Sequence, residues 1–135
     1  MFCHLLATSD PYLVTADHDV AVILDRAPVA PGHALVIPTG HVPTFDDASP
    51  AQLASVTVTA QRLSRGLRSH GIADGALILT NVVVSQSVPH WHCHVVPRHR
   101  GDGLRGLLWP RRRYGSDDEV TLWRTTLHAL VAPQS

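Results

Sequence analysis

Lysine is absent from this 135-residue chain: all eleven basic residues are arginine, and they balance eleven acidic ones to a formal net charge of zero. A bulk electrostatic attraction to nucleic acid or to a membrane surface is therefore not expected. Cysteine is scarce. Cys3 and Cys93 are too few for a disulfide scaffold, which makes a reducing cytoplasm the expected compartment. Charged residues make up only 16% against 44% hydrophobic, a globular rather than a disordered balance. No apolar run approaches the length of a membrane span. The first residues lack the basic stretch and apolar run of a secretory leader, so none is expected.

What is present reads as one domain over 1–135. Tyr12–Thr15 and Val20–Leu24 are expected strands around the turn Asp17-His18-Asp19. A loop with two prolines and a glycine follows, then an apolar strand at Ala34–Ile37, ended by Pro38 and Gly40. Ser49, Pro50 and Gln52 form a helix start with a capping box. Leu53, Val56, Ala60, Leu63 and Leu67 continue it as one apolar stripe, and Gly71 is its expected stop. Ala76–Val84 is β-rich, Ser85-Gln86-Ser87 reads as a loop, and His90–Val96 as a strand. Residues 101–115 are rich in arginine and glycine and read as irregular. Ser116 caps a last helix with Asp117, Asp118 and Glu119 in its first turn and Val120, Trp123, Leu127 and Leu130 along one face. Strands on both sides of one long helix, without regular βαβ alternation, predict an α+β domain with an antiparallel sheet.

The chemistry concentrates in Pro89-His90-Trp91-His92-Cys93-His94-Val95-Val96-Pro97. On a strand His90, His92 and His94 share a face, about 6–7 Å apart, and Trp91, Cys93 and Val95 take the other, which suits a core. Three readings stand. The histidines are surface hydrogen-bonding residues; or they bind zinc through neutral imidazole; or one attacks phosphorus while its neighbours hold phosphate oxygens.

Several motifs in order resemble the histidine triad (HIT) family of nucleotide hydrolases and transferases. His90-Trp91-His92-Cys93-His94-Val95-Val96 is similar to its His-φ-His-φ-His-φ-φ signature, with φ non-polar. Gln86-Ser87-Val88 resembles its lead-in, Pro31-Gly32-His33-Ala34-Leu35-Val36-Ile37-Pro38 its Pro-Gly-His strand, and Val95-Val96-Pro97-Arg98 with Gly101-Asp102 the stretch that follows the triad. The likeness covers about 20–102, leaving 103–135 for an Arg-rich loop and the C-terminal helix. It implies a HIT-like fold: about five antiparallel strands, one long central helix and a C-terminal helix.

The resemblance implies that His92 attacks the α-phosphorus of a purine nucleoside phosphoramidate or a dinucleoside polyphosphate. A nucleotidyl-histidine intermediate forms, and water releases a nucleoside monophosphate. His94 and Ser87 then correspond to contacts with the α-phosphate or leaving-group oxygen, and His90 supplies the carbonyl that orients the nucleophile. His33 matches a fourth histidine, Asp25 a ribose-binding residue, Asn81 (the chain's only asparagine) a phosphate-contacting amide, and Gln86 a member of the substrate-binding lead-in. The resemblance also implies a homodimer joined edge to edge. The zero net charge argues against a nucleic acid or membrane partner. Histidine rings, a serine hydroxyl and backbone N–H groups can hold a phosphate, so no cofactor is required, with structural zinc an open possibility.

Plainer readings compete. Asp25 can cap its own turn as an Asx residue, Asn81 and Ser87 can serve loop backbone, and Val22, Leu24 and Leu35 are core residues as readily as a base slot. Arg98, Arg100, Arg105, Arg111, Arg112 and Arg113 read as a solvated surface or as a site for a polyphosphate tail. Trp109-Pro110 reads as an anchor at the substrate mouth or the dimer partner. Three departures stand out. Bacterial members often hold structural zinc with a Cys-x-x-Cys start; here Cys3 and His4, with His41 and His90, offer one sulfur, short of the usual set. The loop Val82-Val83-Val84-Ser85 is shorter and more apolar than the family's, and Trp91 is bulkier than the usual aliphatic. The uridylyl-transferring branch has Gln where His94 stands, which favours hydrolysis over transfer. A nucleotidyltransferase with a phosphate acceptor, a nucleotide-binding scaffold with weak turnover and a metal-binding protein remain the rivals.

Overall fold

A computed structural model describes residues 10–104 and 112–132. The chain divides into two compact units, the first ending at Asp102 and the second beginning at Gly103. Among the described residues the first holds five strands, β1 (Leu13–Ala16), β2 (Val20–Leu24), β3 (Ala34–Pro38), β4 (Gly75–Leu79) and β5 (Cys93–Arg98), and one long helix, α1 (Pro50–Ser69). The sheet order is β1-β2-β3-β5-β4, every neighbouring pair antiparallel, so the α+β class and the five-stranded sheet are as expected.

Local chemistry sets the element ends. Asp17 Oδ1 accepts from the N–H groups of Asp19 (2.8 Å) and Val20 (2.9 Å) and closes the first hairpin. At the start of α1, Ser49 Oγ accepts from Gln52 N–H (3.1 Å) while Gln52 Oε1 accepts from Ser49 N–H (2.9 Å), a reciprocal capping box with Pro50 in the first turn. Its C-terminus closes over Gly71 in the left-handed region (φ 69°), with Ile72 N–H donating to Leu67 O (2.9 Å).

The period-two alternation of the strands divides the sheet into two faces. Val20, Val22, Ala34, Val36, Cys93 and Val95 pack with Val56 and Ala60 of α1, joined by Val42 and Trp91. Ala21, Ile23, Leu35 and Ile37 form a second cluster with Leu13 and Val88. Full burial of each valine contributes about 1.5–2 kcal/mol.

Two strands differ from expectation. The β-rich run Ala76–Val84 is a strand only as far as Leu79. Val83 (φ 66°) and Ser85 (φ 63°) take left-handed backbone, and Val83 and Val84 are exposed. The chain reverses there despite its valines, braced by Gln86, whose Oε1 accepts from Val83 N–H (3.1 Å). The histidine strand begins later, at Cys93, because the backbone before it bonds elsewhere: His90 N–H to Val88 O (2.8 Å) and Trp91 N–H to Val42 O (2.6 Å). The alternation survives this, and Trp91, Cys93 and Val95 all reach the α1-side core.

In the second unit Ser116 caps α2 (Asp117–Val131), its Oγ accepting from Glu119 N–H (3.2 Å), with Asp117, Asp118 and Glu119 in the first turn. Trp123, Leu127 and Leu130 of its apolar face are exposed. Among the described residues no helix is long and apolar enough to cross a membrane. Cys3, His4, Arg105, Trp109, Pro110 and Arg111 lie outside the described residues.

Candidate active site

The side of the sheet away from α1 carries a cavity of about 150 Å³. Tyr12, Ile23, Leu24, Leu35 and Val88 supply its apolar lining; Asp25, Arg26, Ser87, His92 and His94 supply the rest. Of the base-slot candidates Leu24 and Leu35 line it, whereas Val22 faces α1 and Ile23 takes its place. A shift of one residue moves a strand side chain to the other face.

His92 is buried and its orientation is set from below. Nδ1 lies 2.8 Å from His90 O. A carbonyl only accepts, so Nδ1 carries the hydrogen and the lone pair of the neutral ring sits on Nε2. His90 is also buried, and its Nε2–H donates to Pro38 O (3.0 Å), tying this stretch to the end of β3. Burial lowers the His90 pKa, with His41 and His92 adding to the shift and the bond to Pro38 opposing it.

A second chain of bonds reaches His94. The ladder pair Leu24↔Ala34 places Asp25 opposite His33, and Asp25 N–H donates to His33 O (2.9 Å), which is why residues eight apart meet. Gly32 turns with φ 88° just before, where a Cβ would come within 3.2 Å of Pro97 Cγ. Val29 N–H donates to His33 Nδ1 (3.1 Å), so the hydrogen of His33 is on Nε2. That nitrogen is 2.9 Å from His94 Nδ1, which must accept. The hydrogen of His94 is then on Nε2. Burial favours the neutral form of both rings: it lowers His33, opposed by Asp25, and lowers His94 to about 4, with His92 and His33 adding and Asp25 opposing. The His92 and His94 ring centroids are 5.0 Å apart.

The remaining candidates are placed as follows. Asp25 forms the Asx turn, its Oδ1 accepting from Ala27 N–H (2.8 Å), and it also lines the cavity with Oδ2 3.6 Å from His33 Nε2. Ser87 lines the cavity. Gln86 does not; its Nε2 donates to Pro43 O (2.6 Å) and Val88 O (3.0 Å), so its amide braces the loop backbone. Asn81 lies half-buried two residues past β4, outside the cavity lining. His41 stands edge-on to His90 at 5.3 Å, but Cys3 is outside the described residues. Arg98 is held by Asp102 through two bonds (2.7 and 3.0 Å), which occupies one member of the arginine cluster.

The ligand atoms of Asp25, His33 and His94 lie within 4.8 Å of one another, close enough for one metal ion. The donor set does not fit such an ion. Ligation through His33 Nε2 requires the hydrogen on Nδ1, where it would face the N–H of Val29. The geometry is that of a proton-ordered chain.

Four contributors carried no sequence signal, Val29 with the N–H it gives His33 among them. Tyr12 and Arg26 form one wall, the Arg26 guanidinium lying 4.3 Å above the Tyr12 ring and 2.6 Å from Asp10 Oδ2. Thr80 Oγ1 donates to His92 O (2.7 Å).

The family model of the HIT domain matches residues 8–101. A crystal structure of a zinc-bound histidine triad family protein from Mycobacterium smegmatis is similar over 96% of this chain and 93% of that one, at 34% identity and a TM-score of 0.70. Among curated relatives, an adenylylsulfatase of Arabidopsis thaliana is 29% identical over 107 residues, 77% of this chain and 54% of that protein. An asymmetrical bis(5'-nucleosyl)-tetraphosphatase of Schizosaccharomyces pombe is 32% identical over 90 residues, 61% of this chain and 46% of that protein. The chain thus spans about half of each of these two enzymes. By the extent of these matches, and with its sheet and histidines arranged as described, the chain belongs to the HIT family.

Proposed function

We propose that this chain is a nucleotide hydrolase that cleaves nucleoside phosphoramidates or dinucleoside polyphosphates through a nucleotidyl group on His92. The observation that carries the reading is the bond from His92 Nδ1–H to His90 O, which directs the ring's lone pair to Nε2 at the wall of a cavity. In the first step Nε2 attacks the α-phosphorus and the bond from phosphorus to the leaving nitrogen or oxygen breaks. The ring becomes cationic, and the His90 carbonyl at Nδ1–H meets that charge. His94 Nε2–H and the Ser87 hydroxyl donate to phosphate oxygens. The leaving nitrogen or oxygen takes its proton from solvent as its bond to phosphorus breaks. In the second step water attacks phosphorus and loses a proton to solvent, the N–P bond to His92 breaks, and a nucleoside monophosphate leaves. Asp25 Oδ2 accepts from ribose hydroxyls, and the apolar lining takes a purine base. No metal enters either step. The names of two relatives, an adenylylsulfatase and a bis(5'-nucleosyl)-tetraphosphatase, support the reaction class.

The protein acts in this reading as a homodimer paired along a sheet edge; β1 and β4 are the edges available. Light scattering that gave a monomer mass at working concentration would overturn that part.

The deciding experiment is incubation with adenosine and guanosine phosphoramidates and dinucleoside polyphosphates, followed by intact-mass analysis. The expected result is an adduct of one nucleoside monophosphate that is absent in His92→Gly. Turnover of every substrate by that variant at the wild-type rate overturns the reading.

A further inference from the structure

The main chain at His92 is held by a device outside the triad. β4 ends at Leu79 and the ladder between β4 and β5 runs only to Leu79↔His94. One residue on, a side chain takes over: Thr80 Oγ1 lies 2.7 Å from His92 O and 2.9 Å from Trp91 Nε1. The direction of both bonds is fixed by chemistry. An indole N–H can only donate, so Thr80 Oγ1 accepts it, and the single hydroxyl hydrogen goes to the His92 carbonyl, which can only accept. Trp91 is itself packed in place: it is 2% exposed, its main-chain N–H donates to Val42 O, and the Phe45 ring meets it edge-on at 5.7 Å.

We propose that Trp91 and Thr80 are positioning residues for the His92 nucleophile, the indole N–H aiming the Thr80 hydroxyl at the His92 carbonyl and thereby fixing the peptide from which the attacking ring projects. The proposal rests on His92 being the nucleophile. His92 Nδ1–H to His90 O sets the rotation of the ring, and Thr80 sets the peptide that carries it. Both are needed, because a displacement of about 1 Å at the attacking atom lowers a rate up to about a hundredfold. Ordering the hydroxyl from the indole side also means that no reorientation is needed as charge develops on the ring.

The test uses the full chain with adenosine 5'-phosphoramidate as substrate. Thr80→Val keeps the shape and removes the bond; it is expected to lower kcat about tenfold with KM within about twofold of wild type. Thr80→Ser is expected to restore kcat to within about twofold, and Trp91→Phe, which keeps a buried ring without the N–H, to lie between the two. Proton exchange of the His92 Nδ1–H, read by NMR on ring-labelled protein, is expected to quicken in Thr80→Val and return in Thr80→Ser. Wild-type kcat in both Thr80→Val and Trp91→Phe overturns the proposal, as does a loss carried by KM or a loss that serine fails to restore. If wild type forms no adduct on His92, the nucleophile reading fails on its own, and unchanged Nδ1–H exchange in Thr80→Val overturns the positioning separately. Should Thr80→Val not fold, Trp91→Phe alone decides.

Discussion

On the α1 side of the sheet, Val22, Val36, Cys93 and Val95 meet Val56 and Ala60, and none of them is more than 9% exposed. On the other side, the same strands present Ile23, Leu35 and His94 to a cavity that Asp25, Ser87 and His92 complete. The two faces differ by one residue of register. Apolar volume fills the first, so it contributes stability and tolerates no chemistry. The second stays partly open and places neutral imidazoles where a ligand can reach them. The difference shows how a single strand, β5, serves both tasks: Cys93 and Val95 anchor it from behind while His94 faces the site.

Substitutions on the two faces should therefore separate. His92→Gly is expected to lower kcat about 10⁴-fold while leaving the thermal midpoint within a few degrees of wild type, measured by turnover and by calorimetry. His33→Ala breaks the chain that orients His94 without touching the nucleophile; a kcat loss of about a hundredfold, with the adduct on His92 still forming, is the expected outcome. A His33 variant as inactive as His92→Gly would erase the distinction between the attacking ring and the ring that holds the phosphate. Val56→Ala on the closed face should do the reverse, lowering stability by about 2 kcal/mol in urea melts with kcat within about twofold of wild type. A large kcat loss there, with the fold intact, would mean that the faces are coupled.

Much of this division was legible in the sequence because it depends on period and on local caps. The capping box at Ser49 and Gln52, the apolar stripe from Leu53 to Leu67 and the Asp17 hairpin are short-range patterns, and each appears as read. The alternation of Trp91, Cys93 and Val95 placed the core side of the histidine segment correctly even though His90 and His92 precede β5. Reading Val82–Val84 as strand failed because β-branched composition was outweighed by a chain reversal with two left-handed residues, held by a glutamine amide. The Gln86 amide goes to the loop backbone, a use that residue type alone does not reveal. Tyr12, Arg26, Val29 and Thr80 reach the site through ladder register and loop closure, which no spacing in the chain announces.

The smallest expected effect sets the two faces at opposite ends of the pH scale. Burial, helped by His92 and His33 and opposed by Asp25, lowers His94 to about 4 in the folded chain, against about 6.5 for an unperturbed histidine. Between those values the unfolded chain binds a proton that the folded chain refuses, so stability falls as pH drops and levels off below about 4. His33 and His90 shift in the same direction and add to it. On the closed face the sign is reversed. Burial raises Cys93 from 9.0 to about 11, so above pH 9 the unfolded chain loses a proton that the folded chain keeps, and stability falls as pH rises towards 11. Thermal midpoints across the range should therefore fall by a few degrees on each limb. His94→Gln should make the acid limb shallower and leave the alkaline limb alone, and Cys93→Ala should flatten the alkaline limb and leave the acid limb alone. If either variant altered both limbs equally, the titration would belong to the whole fold and the division between the faces would be lost.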